Sequence, residues 1–291
     1  MKPPPFEYHS PKSLADAAAL LARLPNAKLL AGGQSLMPML NMRFIAPDHI
    51  IDLNGVDGLS HIMEKPGGVV IGAMTRQCDM ESSPIIAARL PVMQEAVRFI
   101  GHLQTRNRGT LGGSLCHLDP AAELPAVAMA YDAEISVYSA RGVRTLPMAS
   151  FPAFYMTPAL EADEILTEVR FTPWPEGHGF AFDEFSRRRG DFAVVAVVVL
   201  LAATAHGVVT RASITIGGIG SAPRRICEAE ERLVGREATI SVFEDTARMC
   251  GLVEAFEDPY ASKAYRQHLV RTLVFRTLSA ALARRGRHDN V

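Results

Sequence analysis

Two short glycine-bearing segments, AGGQS (Ala31 to Ser35) and TLGGS (Thr110 to Ser114), each follow an apolar stretch, and together they narrow what this chain can fold into. Glycine lacks a Cβ, so paired glycines can turn through positive φ and present several backbone N–H groups to one anion. The hydroxyls of Ser35, Thr110 and Ser114 would add donors. One Gly-Gly alone is most often a tight turn. Two of matching Gly-Gly-x-Ser and Gly-Gly-Ser character point instead to a clamp that holds a pyrophosphate from both sides.

The chain has 291 residues, a length that suits about two domains and can enclose a ligand as large as a dinucleotide. Hydrophobic residues make up 48%, charged residues 21%, and the net charge is -1, so the surplus of Lys and Arg that marks a nucleic-acid binder is missing and no nucleic-acid partner is expected. The longest nearly apolar run, Phe192 to Ala205, falls short of the ~20 residues that cross a bilayer and reads as a buried strand, so no membrane span is expected. The opening MKPPPFEY carries prolines and an early acid where a secretory signal would be apolar, which makes the cytoplasm the expected location. Cys78, Cys116, Cys227 and Cys250 are scattered without a C-x-x-C pair, which argues against a zinc site or an iron–sulfur cluster held by this chain alone.

Helical spacing runs from Leu14 to Leu24 after Ser10 and Ser13, and a strand from Lys28 to Ala31 delivers the first glycine segment. His49 to Leu53 is β-prone and closes a first α/β unit. Val69 to Ile71 reads as a strand, and Asp79 to Ser83, Ile85 to Leu90 and Pro91 to Phe99 read as helices punctuated by prolines. Ala121 to Tyr131 has helical spacing. Glu134 to Ser139, Val143 to Leu146 and Ile165 to Phe171 read as strands. TPWPEGHG, residues 172 to 179, packs two prolines and two glycines into eight positions and marks a domain edge. Beyond it, Phe192 to Thr204 and Val208 to Ile216 form a hairpin through Ala205-His206-Gly207, followed by helices at Arg224 to Leu233, Ser241 to Val253 and Ser262 to Arg284.

Polar groups concentrate in IGHLQTRNRGTLGGSLCHLDPAAELPA, where His102, Arg106, Arg108, His117, Asp119 and Glu123 surround the second glycine pair. Acid–base work by a His with a carboxylate and a metal site made of His102, His117 and Asp119 are both open readings, although neither has a fixed local spacing such as H-E-x-x-H. No G-x-S-x-G, Walker lysine loop or G-x-G-x-x-G is present, which argues against an α/β-hydrolase, a P-loop nucleotidase and a Rossmann dehydrogenase.

Taken in order, AGGQSLMPMLNMR, QTRNRGTLGGSLCHLDPAAELPA, DEILTEVRF, FSRRRGDFAVV and ITIGGIGSAPRR resemble the FAD-binding medium subunit of bacterial molybdenum hydroxylases, the carbon monoxide dehydrogenase and xanthine dehydrogenase relatives. The resemblance spans nearly the whole chain. It implies an α+β fold of the vanillyl-alcohol-oxidase (PCMH) type, with two α/β subdomains at about residues 1–57 and 58–177. A C-terminal domain, residues 178–291, would carry a three-stranded antiparallel sheet and helices.

By position, the resemblance assigns Ala31, Gly32, Gly33, Gln34 and Ser35 to a first pyrophosphate segment and Thr110, Gly112, Gly113 and Ser114 to a second. Ile100 and Gly101 match the position against the flavin and ribityl chain, Glu123 an acidic position that hydrogen-bonds the cofactor, and Ile165 with Leu166 a strand that borders the isoalloxazine. Ser114 stands where many relatives have Asn, and Glu123 where many have Asp. No lysine stands near Asp183, so nothing is carried over there. Arg187, Arg188, Arg189 and Asp191 read as domain-edge charges, with a partner contact as the sharper alternative.

The function implied is electron transfer through non-covalent FAD, with no protein acid, base, nucleophile or metal ligand on this chain. Molybdopterin and [2Fe-2S] clusters would sit on a large and a small partner subunit, in a dimer of heterotrimers that delivers electrons to an external acceptor. A stand-alone FAD-dependent oxidase of the same superfold is the alternative, and a non-catalytic assembly protein a more distant one.

Overall fold

The structure, a computed structural model, describes residues 2–286. Residues 287–291, the end of the region assigned to the C-terminal domain, lie outside it.

The N-terminal unit comprises β1 (Glu7–His9), α1 (Leu14–Arg23), β2 (Ala27–Leu30), α2 (Leu36–Asn41) and β3 (His49–Asp52). Its strands form a parallel sheet in the order β1-β3-β2. Ser13 caps α1 by accepting from the Asp16 N–H at 3.1 Å, and Asp16 and Arg23 complement the helix dipole at its two ends. Ala17 and Ala18 bury against Ile51, Leu53 and Val56. The small side chains let the helix lie close on the sheet.

The second unit runs through β4 (Ile62–Lys65), β5 (Gly68–Gly72), α3 (Gln77–Ser82), α4 (Pro84–Arg89), α5 (Pro91–Val97), α6 (Leu103–Arg106), α7 (Leu111–His117), α8 (Glu123–Ala130), β6 (Glu134–Ser139), β7 (Gly142–Pro147), the short pair β8 (Pro152–Phe154) and β9 (Thr157–Pro158), and β10 (Ile165–Phe171). Its five-stranded sheet has the order β4-β5-β10-β6-β7 and is antiparallel throughout. Pro84 and Pro91 stand at the first positions of α4 and α5, where a missing N–H costs no intrahelical bond. All eight residues of α8 are buried, which explains a sequence apolar on every face.

The C-terminal unit contains β11 (Gly179–Ser186), β12 (Ala193–Ala203), β13 (Val209–Gly217), β14 (Arg224–Arg225), α9 (Cys227–Leu233), α10 (Ile240–Cys250) and α11 (Lys263–Arg284). Its antiparallel sheet has the order β11-β12-β13-β14, so the two-residue β14 adds a short fourth strand to the three expected. Strand β11 was not read from the sequence; it begins where TPWPEGHG ends.

Strand β12 accounts for the join between the two halves of the chain. Ala196, Val198, Leu200 and Ala202 face the core of the second unit, while Val195, Val197, Val199 and Leu201 face α9, α10 and α11. Period-two alternation therefore puts one strand into two cores, and both its faces must be apolar. Among the described residues no helix is long and apolar enough to cross a membrane.

Candidate functional site

The first glycine segment connects β2 to α2. Gly33 takes φ +73°, the only positive value among Gly32, Gly33, Gly112 and Gly113, and the Gln34 side-chain amide donates to the Gly32 carbonyl at 3.2 Å to fix the turn. Among the described residues, the main-chain N–H groups of Gly33, Gln34 and Ser35 donate to no protein acceptor. Three consecutive amides at a half-exposed to exposed turn are thus available to an anion.

The second segment is built differently from the loop read in the sequence. It is the start of α7, with Thr110 as N-cap accepting from the Gly113 N–H at 3.1 Å. The Leu111 N–H donates to the Thr75 carbonyl at 3.1 Å, that of Gly112 to Ala73 at 2.8 Å and that of Ser114 to Thr110 at 3.1 Å. Its amides are therefore committed inside the protein. What it offers is shape: Gly112 has no room for a Cβ, which would lie 2.7 Å from the Ala73 methyl, and half-exposed Gly113 leaves a bare backbone surface beside the Ser114 hydroxyl.

The two segments are in direct contact. A Cβ on Gly32 would stand 2.1 Å from the Arg108 carbonyl oxygen, and one on Gly113 would stand 3.6 Å from the Ala31 methyl. Behind them, the Arg76 guanidinium donates to the Arg108 carbonyl and, at 2.5 Å, to the Asn54 side-chain oxygen. Asn54 in turn donates to the Ala31 carbonyl at 2.9 Å. Arg76, Asn54 and the Arg108 backbone so tie one segment to the other. None of the three was assigned to this role from sequence, because the link runs through side chains more than twenty residues from the atoms they hold. Asp52, hydrogen-bonded to Tyr8 and Asn54, lies beside them; burial works to raise its carboxyl, and those bonds outweigh it, leaving it below the ordinary range.

Ile100 and Gly101 follow α5. Ile100 is 9% exposed, and its carbonyl accepts from Arg106 at 3.1 Å; Gly101 adopts φ +44°. The C-terminal unit reaches this point, since a Cβ on Gly190 would meet the Gly101 carbonyl at 3.2 Å and the His102 ring at 2.8 Å. The SRRRGD turn therefore lies against the Gly101 bend.

Glu123 opens α8 and is nearly buried; burial pushes its carboxyl up to about 7. Glu184 on β11 is pushed up to about 8 by burial, reinforced by the charges of Glu123 and Asp183, and its Oε2 is buried without a hydrogen-bond partner. Ile165 and Leu166 begin β10 and are fully buried in two different cores, Ile165 with α1 and Leu166 with α5 and α7. Their side chains are core, so only their backbone remains for a ligand. His102, His117 and Asp119 are not grouped closely enough to share one ion among the described residues; the Asp119 carboxylate instead accepts from the Ala121 N–H at 2.9 Å in a turn.

Comparison with known proteins shows the family. A family described as the FAD binding domain in molybdopterin dehydrogenase matches residues 4–174, and one described as the CO dehydrogenase flavoprotein C-terminal domain matches residues 180–281. The chain belongs to the FAD-binding subunits of the molybdopterin dehydrogenases. It is 40% identical to the 6-hydroxypseudooxynicotine dehydrogenase complex subunit alpha of Paenarthrobacter nicotinovorans, over 98% of this chain and 97% of that one. It is 38% identical to the carbon monoxide dehydrogenase medium chain of Hydrogenophaga pseudoflava, over 98% and 99%. A solved structure of carbon monoxide dehydrogenase from Hydrogenophaga pseudoflava superposes with a TM-score of 0.95 at 38% identity, covering 98% of this chain and all of that one.

Proposed function

We propose that this chain is the electron-transfer subunit of a heteromeric molybdenum hydroxylase, passing electrons from the iron–sulfur clusters of a small subunit through FAD to an external acceptor. The large subunit carries molybdopterin, and the assembly is a dimer of heterotrimers. Residues 1–177 form the FAD-binding domain and 178–291 the C-terminal domain.

The observation that carries the reading is the free amide run Gly33-Gln34-Ser35 set against the Cβ-less edge at Gly113. FAD's diphosphate has about two negative charges, and aligned N–H dipoles in a partly dry cleft can hold it without a lysine. We assign the diphosphate to Ala31, Gly32, Gly33, Gln34 and Ser35 on one side and Thr110, Gly112, Gly113 and Ser114 on the other. The Ile100–Gly101 bend and the backbone of Ile165 and Leu166 border the ring, and Glu123, whose carboxyl burial pushes up to about 7, supplies a polar contact.

Flavin supplies the redox chemistry when bound, accepting and releasing electrons singly or in pairs. The protein's part is to fix its position and exclude water, so no side chain is assigned as acid, base or nucleophile. The test is reconstitution of the flavin-free chain. It should bind one FAD and oxidise no organic substrate unless the other subunits are added. Failure to take up FAD, or substrate turnover by the isolated chain, would refute the reading.

A further inference from the structure

Glu7 and His9 stand two apart on β1 and therefore project from the same face of the strand. The parallel register sets Glu7 opposite His49 on β3, which adds a third donor to that face. His9 Nε2 lies 3.2 Å from His49 Nδ1, His49 Nδ1 lies 3.2 Å from Glu7 Oε2, and His9 Nε2 lies 3.9 Å from the same carboxylate oxygen. In the plane of these three atoms, the point equidistant from them is about 2.0 Å from each, which is the length of a Zn–N or Zn–O bond. The imidazoles meet at their edges, tilted by 47°. Their side chains are only 23% and 15% exposed, whereas Glu7 is 73% exposed and leaves one side of the point open to water or another ligand.

We propose that Glu7, His9 and His49 form a three-ligand site for a borderline divalent cation of the Zn²⁺ type. Two imidazoles with one carboxylate suit Zn²⁺, and Cu²⁺ by its higher place in the affinity order, over the oxygen-seeking Mg²⁺ and Ca²⁺. The site is independent of the flavin assignment. It would staple the edge strand β1 to β3, whose far end at Asp52 leads into Asn54 and so to the Ala31 carbonyl. Without a cation, the same atoms account for themselves as a hydrogen-bonded imidazole pair, and an experiment separates the two.

The experiment is a Zn²⁺ titration of the full FAD-loaded chain against a chromophoric chelator, with the melting temperature followed in parallel. One Zn²⁺ per chain should bind in competition with the chelator and raise the melting temperature, while Mg²⁺ and Ca²⁺ leave it unchanged. The double variant His9→Ala/His49→Ala should lose that binding and keep its FAD, and Glu7→Gln should weaken it by about tenfold or more. X-ray absorption of the Zn²⁺-loaded unaltered chain should show nitrogen and oxygen ligands only, with imidazole scattering, a readout that does not depend on the variants folding. No competition with the chelator, unchanged stoichiometry in the double variant, or sulfur among the ligands would each overturn the proposal.

Discussion

The carbonyl oxygen of Arg108 occupies the space that a Cβ on residue 32 would need, only 2.1 Å from that ideal position. Such a contact cannot be relieved by a side-chain rotation, because both partners are backbone. Gly32→Ala should therefore push the AGGQS turn off the TLGGS helix start and open the cradle. The expected outcome is a loss of FAD affinity of about a hundredfold, equal to ~2.7 kcal/mol. Gly33→Ala meets side-chain atoms at 3.2 and 3.3 Å and must hold φ +73°, so it should cost about 1 kcal/mol of stability and weaken FAD less. Flavin content after gel filtration and fluorescence titration measure both. A Gly32→Ala protein that keeps its flavin at unaltered affinity would show that the segments do not need to touch.

Arg76 holds the same junction from behind, through the Arg108 carbonyl and the Asn54 side chain. Removing a charged donor from two acceptors costs about 1.5–3 kcal/mol. Arg76→Ala should lower the melting temperature and raise the FAD dissociation rate together. Arg76→Lys should fail to restore either, because one ammonium cannot reproduce a planar fork aimed at two separate oxygens. Full rescue by lysine would mean that charge alone matters at this position.

Local signals in the sequence found most of the elements because helix caps, prolines and alternation act within a few residues. Ser13 does cap α1, and Gly207 does turn the β12–β13 hairpin. Strand β4 was missed because IMEK alternates weakly and earns its place by pairing with β5. The TLGGS segment was read as a loop since glycine is a poor helix former. Tertiary hydrogen bonds to Ala73 and Thr75 decide its conformation, and those partners are invisible in a local window. The Glu7–His9–His49 grouping was equally hidden, as parallel register sets residues forty apart side by side. Resemblance supplied the proposed site residues as a set, whereas the difference between the two glycine segments required the fold.

Arg284, at the end of α11, forms a two-pronged pair with Glu95 on α5 at 2.6 and 3.0 Å, and Glu95 also accepts from the Phe182 N–H at 3.3 Å. The pair joins the last helix to the helix that leads into Ile100 and Gly101. A double-mutant cycle between Arg284→Ala and Glu95→Ala should give a coupling of about 1–2 kcal/mol, more than the usual exposed ion pair, because the geometry is bidentate and partly screened from water. Arg284→Ala should also loosen the Gly101 bend, seen as faster amide exchange at residues 99–103. A coupling near zero would reduce the pair to surface decoration.

Glu184 gives the chain a pH dependence of definite sign. Its carboxyl is raised from 4.5 to about 8 by burial and by neighbouring Glu123 and Asp183, so the folded chain binds its proton more tightly than the unfolded chain does. Stability from this group is intact below the unfolded value and falls as pH rises from about 4.5 through 8, where the unfolded chain ionises freely and the folded chain does not. Glu184→Gln removes the penalty by replacing the carboxyl with a neutral group of the same shape. In the flavin-free chain it should leave stability near pH 5 almost unchanged and raise it by about 1–2 kcal/mol at pH 8, an amount set below the full shift because the side chain is only partly buried. Denaturant midpoints for both proteins across this range decide the matter. A variant that tracks the parent at every pH would mean that Glu184 is ionised and solvated in the folded protein, and that the buried oxygen has found a partner.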